Sequence, residues 1–250
     1  MPDNGQSFIV KIAETEDELR AAQRLRYDVF VRELGSGGAM VDHARGLERD
    51  RFDPFFDHMI ACDAASGEVV GVYRLLRGER AAELGQFYSE DEYDLGVLRK
   101  SGRRLLELGR SCLHPDYRGG TAMFHLWSGL ADYVERHGIE ILFGVASFHG
   151  TDPQALAQPL SLLHHAHLAP PELRVRAHAR HFQDMDLVPP EALDRRAAML
   201  RVPALIKAYL RLGGHVGEGA FVDHAFNTTD VCLVLDTARM NARQKRLYSR

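Results

Sequence analysis

Residues 105–120 read LLELGRSCLHPDYRGG, an apolar segment that carries a glutamate and an arginine and then stops at a proline. Side chains alternate between the two faces of a strand, so a regular strand would point Glu107 and Arg110 in opposite directions. A glycine inside a strand often marks a β-bulge, and a bulge at Gly109 inserts one residue and turns both side chains towards the same face. The sequence therefore predicts a kinked strand over residues 104–114.

The predicted kink combines two groups that acyl transfer requires. A bulge leaves a backbone N–H outside the ladder, and such amides, here near Gly109 to Ser111, can stabilise an oxyanion. A half-buried carboxylate beside them, that of Glu107, can accept a proton. The same pattern also fits a structural ion pair between Glu107 and Arg110 at the end of a strand, so the strand alone leaves both interpretations open.

A basic turn that contains glycine, HPDYRGG at 114–120, follows the strand and leads into a predicted helix over residues 121–137. The backbone N–H groups and the positive dipole end at the start of such a helix can bind a phosphate. Arg118, Gly119 and Gly120 are therefore candidate phosphate-binding residues. A plain turn between a strand and a helix would have the same pattern.

Hydrophobic periodicity along the chain predicts an α/β (α+β) protein in which strands and helices are interspersed. We find no internal repeat and no low-complexity linker, so the chain is interpreted as a single domain over residues 1–250. Its core covers about residues 7–150 and 213–236, with a helical insertion over about 152–212 and a basic tail over 239–250. The predicted strands are 7–14, 57–63, 68–76, 104–114, 139–148, 215–222 and 230–235, and the predicted helices are 16–34, 121–137 and parts of 152–212.

The bulk composition is that of an ordinary soluble globular protein, with 250 residues of which 45% are hydrophobic and 26% charged. A formal net charge of -4 gives no sign of the clustered basic excess typical of nucleic-acid-binding proteins. The cysteines, Cys62, Cys112 and Cys232, form no Cys-x-x-Cys pair, so neither a disulfide framework nor a zinc ribbon is indicated. Without an export signal or an apolar run long enough to span a bilayer, the chain is predicted to be cytoplasmic.

Four short motifs resemble, in their order, the pattern of the acyl-homoserine-lactone synthases: RYDVF at 26–30, ERDRFD at 48–53, VGVYRLL at 70–76 and ELGR at 107–110. The order of elements around them resembles the GNAT acyltransferase superfamily, whose fourth strand carries a bulge and whose following turn holds the phosphates of a pantetheine carrier. The resemblance implies a mixed, mostly antiparallel central sheet flanked by helices, to which this chain adds a C-terminal helical region.

The longer motif ELGRSCLHPDYR at 107–118 is similar to the pattern of the hemolysin-like ornithine N-acyltransferases. Ser36, where the lactone synthases usually carry a tryptophan, and the extra C-terminal region favour this group. The resemblance implies transfer of a 3-hydroxyacyl chain from acyl carrier protein to the α-amine of L-ornithine, which gives lyso-ornithine lipid. The donor would be a 4′-phosphopantetheine thioester, and no tightly bound cofactor is expected.

The charged side chains of these motifs are the candidate catalytic residues. Arg74 lies on the apolar face of its strand, so it should point inward and need carboxylate partners, for which Asp50, Asp53 and Glu107 are candidates. Such a network would orient Glu107 or bind the carboxylate of the amino acid, or else only pin the 39–54 segment to the sheet. An α-amine is protonated near neutral pH, so Glu107, directly or through water, is the predicted general base.

Further residues complete the predicted site. Arg110 belongs to the catalytic set, and Gly109 and Ser111 to the substrate-binding set. Arg26 and Phe30, one helical turn apart, share a face that could close over the substrate, although an ordinary packing pair has the same spacing. An acylated Cys112 is the rival to direct attack by the amine, but buried cysteines are usually inert.

Acyl carrier protein is acidic, so its docking surface should be basic. Arg103 and Arg104, with Arg99 and Lys100, lie just before the kinked strand, and Arg118 would add a contact with the phosphate. A solvated charged loop is the alternative. The basic tail could attract the protein to the anionic surface of the inner membrane, or be an ordinary terminus, and no nucleic-acid partner is expected.

Five histidines between residues 164 and 181 lack a zinc-like spacing and lie in a polar segment, so solvated histidines and no metal are predicted. Three other functions remain open at this point. They are an autoinducer synthase that uses S-adenosylmethionine, a CoA-dependent N-acetyltransferase, and a non-catalytic module that binds a carrier protein or lipid.

Overall fold

A computed structural model describes residues 7–240 of the chain. Residues 1–6 and 241–250 lie outside the described residues, and so does most of the basic tail predicted for 239–250. The single domain stays a prediction, because contacts divide the chain into two compact units. In the described part, the first unit comprises residues 7–84 and 108–138, and the second comprises residues 85–107 and 139–240.

The described residues form short strands and helices of ordinary length. The helices are α1 (Glu16–Arg26), α2 (Gly78–Leu84), α3 (Gly96–Arg99), α4 (Ala122–Arg136), α5 (Ala157–His167), α6 (Arg195–Arg201) and α7 (Ala204–Arg211). The strands are β1 (Phe8–Ile12), β2 (Asp57–Asp63), β3 (Val69–Arg77), β4 (Tyr93–Asp94), β5 (Leu105–Leu113), β6 (Ile141–His149), β7 (Arg176–Ala177), β8 (Phe182–Gln183), β9 (His215–Val216), β10 (Ala220–Asp223) and β11 (Thr228–Asp236).

The first unit is a sheet with a helix packed on each face. Strands β1, β2 and β3 are antiparallel neighbours, and the C-terminal part of β5 lies beside β3. Helix α1 packs against Ile60 and Val72 on one face. On the other face, helix α4 approaches closely at Gly71, where a Cβ would lie 2.8 Å from side-chain atoms of Leu113 and Leu126. The missing side chain at Gly71 therefore lets helix and sheet pack tightly.

The second unit is built on a sheet with the order β5, β6, β11, β10, β8. The N-terminal part of β5 pairs with β6 in parallel, from Leu105↔Ile141 to Glu107↔Phe143. The ladders of β11 with β6 and β10, and of β10 with β8, are antiparallel. The sheets are thus mixed, mostly antiparallel and flanked by helices, which confirms the predicted fold class.

The first helix changes type part-way along its length. Periodicity predicted one helix over residues 16–34, but α1 ends at Arg26 and continues as a π-helix, Tyr27–Glu33. Leu34 N donates to Val29 O, five residues back, at 3.1 Å. A hydrophobic stripe over so few turns fits both helix types, and π-helical turns frequently occur at functional sites. The widened turn begins directly after Arg26, a residue of the candidate site.

The predicted C-terminal helical region, 152–212, contains α5, α6 and α7, but they do not form a continuous run. Residues 168–194, between α5 and α6, form β7, β8 and single turns of 3-10 helix. Two Pro-Pro pairs lie in this stretch, and proline lacks the N–H that a helix interior needs. The strand predicted over 215–222 is divided into β9 and β10, with Gly219 between them at φ +74°.

Candidate active site

Strand β5 is irregular at Arg110, whose φ is +52°. This left-handed conformation is uncommon for a residue with a side chain, and such strain is often found at binding sites. The sequence predicted the irregularity at Gly109, but it lies one residue later, at Arg110. Apart from Gly109 and its two chain neighbours, no atom of the described residues lies within 4 Å of the position that a Cβ on Gly109 would take. Open space therefore adjoins the backbone just before the kink.

The guanidinium group of Arg110 is held by two acidic residues. Its Nε donates to Glu48 Oε1 at 3.0 Å, and a terminal nitrogen lies 3.6 Å from Asp50 Oδ2. The side chain of Arg110 is 18% exposed, more than those of the other arginines to which it is linked. Among these arginines, it is therefore the one best placed to meet a ligand.

Two buried arginines connect the same acidic residues to a third one. Arg26, 0% exposed, donates to Glu48 and, at 3.0 and 3.2 Å, to the two carboxylate oxygens of Asp53. Arg74, also 0% exposed, donates to Asp50 at 2.7 Å and to Asp53 at 2.6 Å. Each arginine thus contacts two carboxylates and each carboxylate two arginines. We call this closed set the charge ring, and its members in order are Arg26, Glu48, Arg110, Asp50, Arg74 and Asp53.

The ERDRFD motif supplies all three carboxylates of the charge ring. Asp50 Oδ1 accepts hydrogen bonds from Phe52 N at 2.9 Å and from Asp53 N at 3.2 Å, which folds the motif into a tight turn. Glu48 N donates to Gln23 O in α1 at 3.1 Å. Asp50 and Asp53 were predicted from the sequence as site residues. Glu48 was not, although its place in the same motif was the available signal.

Pairing offsets the cost of burying the charges of the ring. Burial raises the pKa of Asp53, but the guanidinium groups of Arg26 and Arg74 outweigh burial and hold this pKa below its usual value. Burial also raises the pKa of Glu48, and Arg110 and Arg26 together lower it by more. Both carboxyl groups are therefore ionised at neutral pH.

The charge ring makes stability depend on acidic pH. The pKa values of Glu48 and Asp53 are lower in the folded protein than in the unfolded chain, so their stabilisation is complete above roughly pH 5 and is lost as pH falls through the folded-state values. We expect urea titrations to show a free energy of unfolding that decreases between about pH 5 and pH 3. The decrease should be smaller in Glu48→Gln, which lacks one titrating group. An equal decrease in both proteins would contradict this origin.

Glu107 lies in the second unit, with partners of its own. It is 1% exposed and ends the parallel pairing of β5 with β6. Its carboxylate accepts hydrogen bonds from Tyr88 N at 2.7 Å, from Ser89 N at 2.6 Å and from the Ser89 hydroxyl. These bonds fix the position of the carboxylate and join it to the 3-10 turn Tyr88–Asp91. Neither Tyr88 nor Ser89 was named from the sequence, which offers no local signal for them.

The predicted substrate-binding residues have different surroundings. Ser111 Oγ is buried and has no hydrogen-bond partner within residues 7–240. Because buried hydroxyl groups are normally hydrogen-bonded, Ser111 is a candidate for contact with a substrate. Arg26 is fully buried in the charge ring, and Phe30 packs against a core cluster that includes Val29 and Cys112. These contacts favour the packing interpretation of Arg26 and Phe30.

Two cations that were predicted to meet the carrier are paired with acidic residues. Arg118 forms a two-pronged contact with Glu33, at 2.6 and 2.7 Å. Arg103 does the same with Asp236, at 2.6 and 2.8 Å. A phosphate would have to displace these carboxylates from the guanidinium groups or bind to the guanidinium groups beside them. Phosphate binding by Arg103 and Arg118 therefore stays a prediction.

The glycine turn lies directly before helix α4. Gly119 has φ +76°, a conformation that favours glycine. Gly120 and Thr121 follow, and the Thr121 side chain makes no capping hydrogen bond. The first backbone N–H groups of a helix have no acceptor within the helix, so they can bind an anion. Arg104 directly precedes β5, and its backbone N donates to Glu140 Oε2 at 2.9 Å.

Cys112 lies on β5, two residues after Arg110, and is buried. Burial raises the pKa of its thiol to about 12, although Arg26 acts in the opposite direction. The thiol is therefore protonated at neutral pH and is a poor nucleophile. This favours direct attack by an amine over an acylated cysteine.

Within residues 7–240, clustered side chains include two groups with metal-ligand chemistry: His164, His165 and Asp186, and Glu92, Asp223 and Asp230. In the first group, His165 Nε2 lies 3.2 Å from Asp186 Oδ1 and 3.0 Å from Val188 O. Nε2 of His165 is therefore already in contact with protein oxygens. The absence of a metal stays a prediction.

Comparison with known proteins identifies the family. A model of the acetyltransferase (GNAT) domain matches residues 25–128, the span that holds the whole charge ring. The L-ornithine N(alpha)-acyltransferase of Rhodobacter capsulatus is 62% identical over 249 residues, which cover 98% of this chain and 95% of that protein. The chain belongs to this family of N-acyltransferases. The family and the enzyme class predicted from the motifs are thereby confirmed.

Other relatives of this N-acyltransferase agree. The L-ornithine N(alpha)-acyltransferase of Brucella abortus is 42% identical over 249 residues, covering 97% of this chain and 89% of that protein. Among solved structures, a CoA-dependent acyl-homoserine lactone synthase, BjaI, with MTA, matches with a TM-score of 0.55 at 15% identity, covering 97% of this chain and 88% of that one. This likeness shows a shared fold. In the described ranges, no helix combines the length and the apolar character needed to cross a bilayer.

Proposed function

We propose that this N-acyltransferase transfers a 3-hydroxyacyl group from acyl carrier protein to the α-amine of L-ornithine and releases lyso-ornithine lipid. The observation that carries the proposal is the 62% identity to the Rhodobacter capsulatus enzyme, which extends over 98% of the chain. The Brucella abortus relative has the same name. No tightly bound cofactor is required, because the thioester donor brings its own leaving group.

Glu107 is the proposed general base. The α-amine of an amino acid is largely protonated at neutral pH and must lose a proton before it can attack a carbonyl. Glu107 accepts this proton, directly or through one water. The amine nitrogen then bonds to the thioester carbonyl carbon, the C–S bond breaks, and Glu107 returns its proton to the departing pantetheine sulfur. The nitrogen releases its second proton to solvent, which leaves a neutral amide and a free thiol. The buried, hydrogen-bonded carboxylate of Glu107 supports this role, because its position is fixed before substrate binds.

The kink in β5 is the proposed site of the developing oxyanion. Backbone amides from Gly109 to Ser111 and the unpartnered hydroxyl of Ser111 are donors of the type that stabilise such an anion. Arg110 is proposed to contact the carboxylate of the amino acid or the carbonyl oxygen of the donor. In this proposal Arg74, Asp50 and Asp53 do not touch substrate, since they hold Arg110 in place through the charge ring.

The carrier protein is proposed to bind basic residues that precede and follow β5 in the sequence. Arg118, Gly119 and Gly120 would hold the phosphate of the pantetheine arm, and Arg103 and Arg104 would face the acidic carrier. The reaction would take place in the cytoplasm. Peripheral contact with the inner membrane is part of the proposal because the product is an amphipathic lipid.

A product analysis tests the proposal. The purified chain is incubated with 3-hydroxyacyl carrier protein or, in parallel, with 3-hydroxyacyl-CoA as donor. Each donor is combined in turn with ornithine, lysine, glutamine or S-adenosylmethionine, and the products are identified by mass. We expect an N-acylated amino acid from ornithine. An acylated lactone from S-adenosylmethionine, or transfer only from acyl-CoA to another amine, would contradict the proposal.

A further inference from the structure

The turn that holds Glu107 presents its first amides to the carboxylate. Tyr88–Asp91 is a single turn of 3-10 helix, and its first two backbone N–H groups, those of Tyr88 and Ser89, donate to Glu107 at 2.7 and 2.6 Å. The first N–H groups of a helical turn have no acceptor within the turn. The buried carboxylate supplies that acceptor, so the turn and Glu107 satisfy each other.

Ser89 makes the larger contribution of the two residues. Its backbone N and its hydroxyl both donate to Glu107 Oε1. Ser89 is 0% exposed, so bulk water does not compete for its hydroxyl. Hydrogen bonds donated to a carboxylate stabilise its ionised form, and they are stronger than bonds between neutral groups. Ser89 therefore favours the form of Glu107 that can accept a proton.

An ion pair holds the turn itself in place. Glu90 Oε2 accepts from Phe87 N at 2.7 Å, and Glu90 Oε1 accepts from Arg99 Nε at 2.6 Å. The Arg99 guanidinium also lies 5.0 Å from the centre of the Phe87 ring. That ring contacts the ring of Phe143 edge to face, with the centroids 5.0 Å apart, and Phe143 is the ladder partner of Glu107. The turn is thus packed onto β5 and β6 at the level of Glu107.

The titratable groups that face Glu107 and its turn include one cation close to the carboxylate. A hydrogen bond to Glu90 raises the pKa of Arg99, burial opposes the rise, and the negative charges of Glu90 and Glu107 add to it. The positive charge of Arg99 in turn stabilises ionised Glu107. Burial first, and then the charge of Glu107, raise the pKa of the Cys232 thiol on β11, which is therefore neutral. His178 Nε2 contacts the turn at the Glu90 carbonyl oxygen, at 3.0 Å.

We infer that Ser89 is a positioning residue of the transfer reaction, whose hydroxyl keeps Glu107 ionised and fixed in one orientation, while the ion pair of Glu90 with Arg99 holds Ser89 in place. This inference rests on the proposed function of Glu107 and deepens it. It also gives Arg99 a role in the turn, whereas the sequence placed Arg99 among the residues that meet the carrier.

Ser89→Ala tests the inference. Alanine removes the hydroxyl donor and leaves the backbone N–H in place. With one donor fewer, Glu107 binds its proton at a higher pH. The acid limb of kcat/KM against pH, which reports the base of the free enzyme, should move upward by about one to two pH units, the equivalent of one hydrogen bond to a charged group. Activity should recover as the pH is raised.

Ser161→Ala is the matched control. Ser161 is also 0% exposed, lies in the same unit, and donates from its hydroxyl to Met185 O at 2.9 Å. Loss of a buried hydroxyl should lower the thermal stability of both variants, but only Ser89→Ala should shift the acid limb. An equal shift in Ser161→Ala would overturn the inference, because the limb would then follow stability rather than the charge of Glu107.

Arg99→Met is the second variant, and it tests the same limb if Ser89→Ala does not fold. It removes the cation that holds Glu90 and the positive charge near Glu107. The acid limb should again move upward, while the KM for acyl carrier protein should change by less than about twofold. A raised KM for the carrier with an unmoved limb would overturn the inference, because Arg99 would then be a docking residue.

Comparison with Glu107→Gln separates the inference from the proposed function. If Glu107→Gln loses activity and the acid limb of Ser89→Ala stays at the wild-type pH, the inference is overturned while Glu107 remains the base. If Glu107→Gln keeps the turnover of wild type, the proposed role of Glu107 is overturned, and the inference fails with it.

Discussion

Glu107→Gln is expected to lower kcat by about 10²- to 10⁴-fold, the usual contribution of a general base. Glutamine is close in size, but one half of its amide is a donor. That NH₂ group would face Tyr88 N or Ser89 N, which now donate to a carboxylate. One unpaired buried donor costs about 1–3 kcal/mol, against a typical total stability of about 5–15 kcal/mol, so the variant should remain folded. Turnover at saturating substrate and thermal unfolding measure the two effects separately.

The pH dependence of the residual activity distinguishes a base from a residue that only positions the turn. Without a base, only amine that has already lost its proton can react, so the rate of Glu107→Gln should rise by about tenfold per pH unit below the pKa of the amine. A purely structural role would leave the pH profile as in wild type. Glu135→Gln, at an exposed site on α4, is the control and should be fully active. Turnover of Glu107→Gln close to wild type would remove Glu107 from the mechanism.

Arg74→Met is expected to destabilise the protein by about 3–5 kcal/mol, because it leaves two acidic residues without one of their cations in a buried place. Arg74 is 0% exposed and contacts Asp50 and Asp53 at 2.7 and 2.6 Å. Arg74→Lys keeps the charge but lacks the fork that reaches two carboxylates at once, so its loss should be intermediate. Urea titration at neutral pH measures the free energy of unfolding.

A surface arginine provides the control for Arg74. The side chain of Arg32 is 69% exposed and contacts Asp28 at 2.8 Å in the same helical segment. Exposed pairs of this kind contribute about 0.5 kcal/mol or less, so Arg32→Met should change stability little. A loss below about 1 kcal/mol in Arg74→Met would show that the charge ring contributes far less than buried ion pairs normally do.

Local patterns were sufficient to predict much of the fold. Side-chain alternation predicted β5 and its neighbours, and the glycine within ELGR indicated that the strand would be irregular. The exact residue was not predictable, because a bulge can move by one position without changing the pattern of apolar residues. Arg74 was predicted to point inward from an apolar strand and therefore to need acidic partners. The structure places Asp50 and Asp53 of the ERDRFD motif in contact with it.

Contacts between distant segments could not be predicted in this way. Glu48 and Arg110 are separated by 62 positions, and Ser89 and Glu107 by 18. Neither pair leaves a periodic signal, because each depends on how separate elements come together.

The closed form of the charge ring also bears on how such a protein can change over generations. Every member touches two residues of opposite sign, so replacement of any one disturbs two neighbours at once and no single-step path between alternative arrangements is neutral. Descendant sequences should therefore inherit the six positions together or exchange several of them in one lineage.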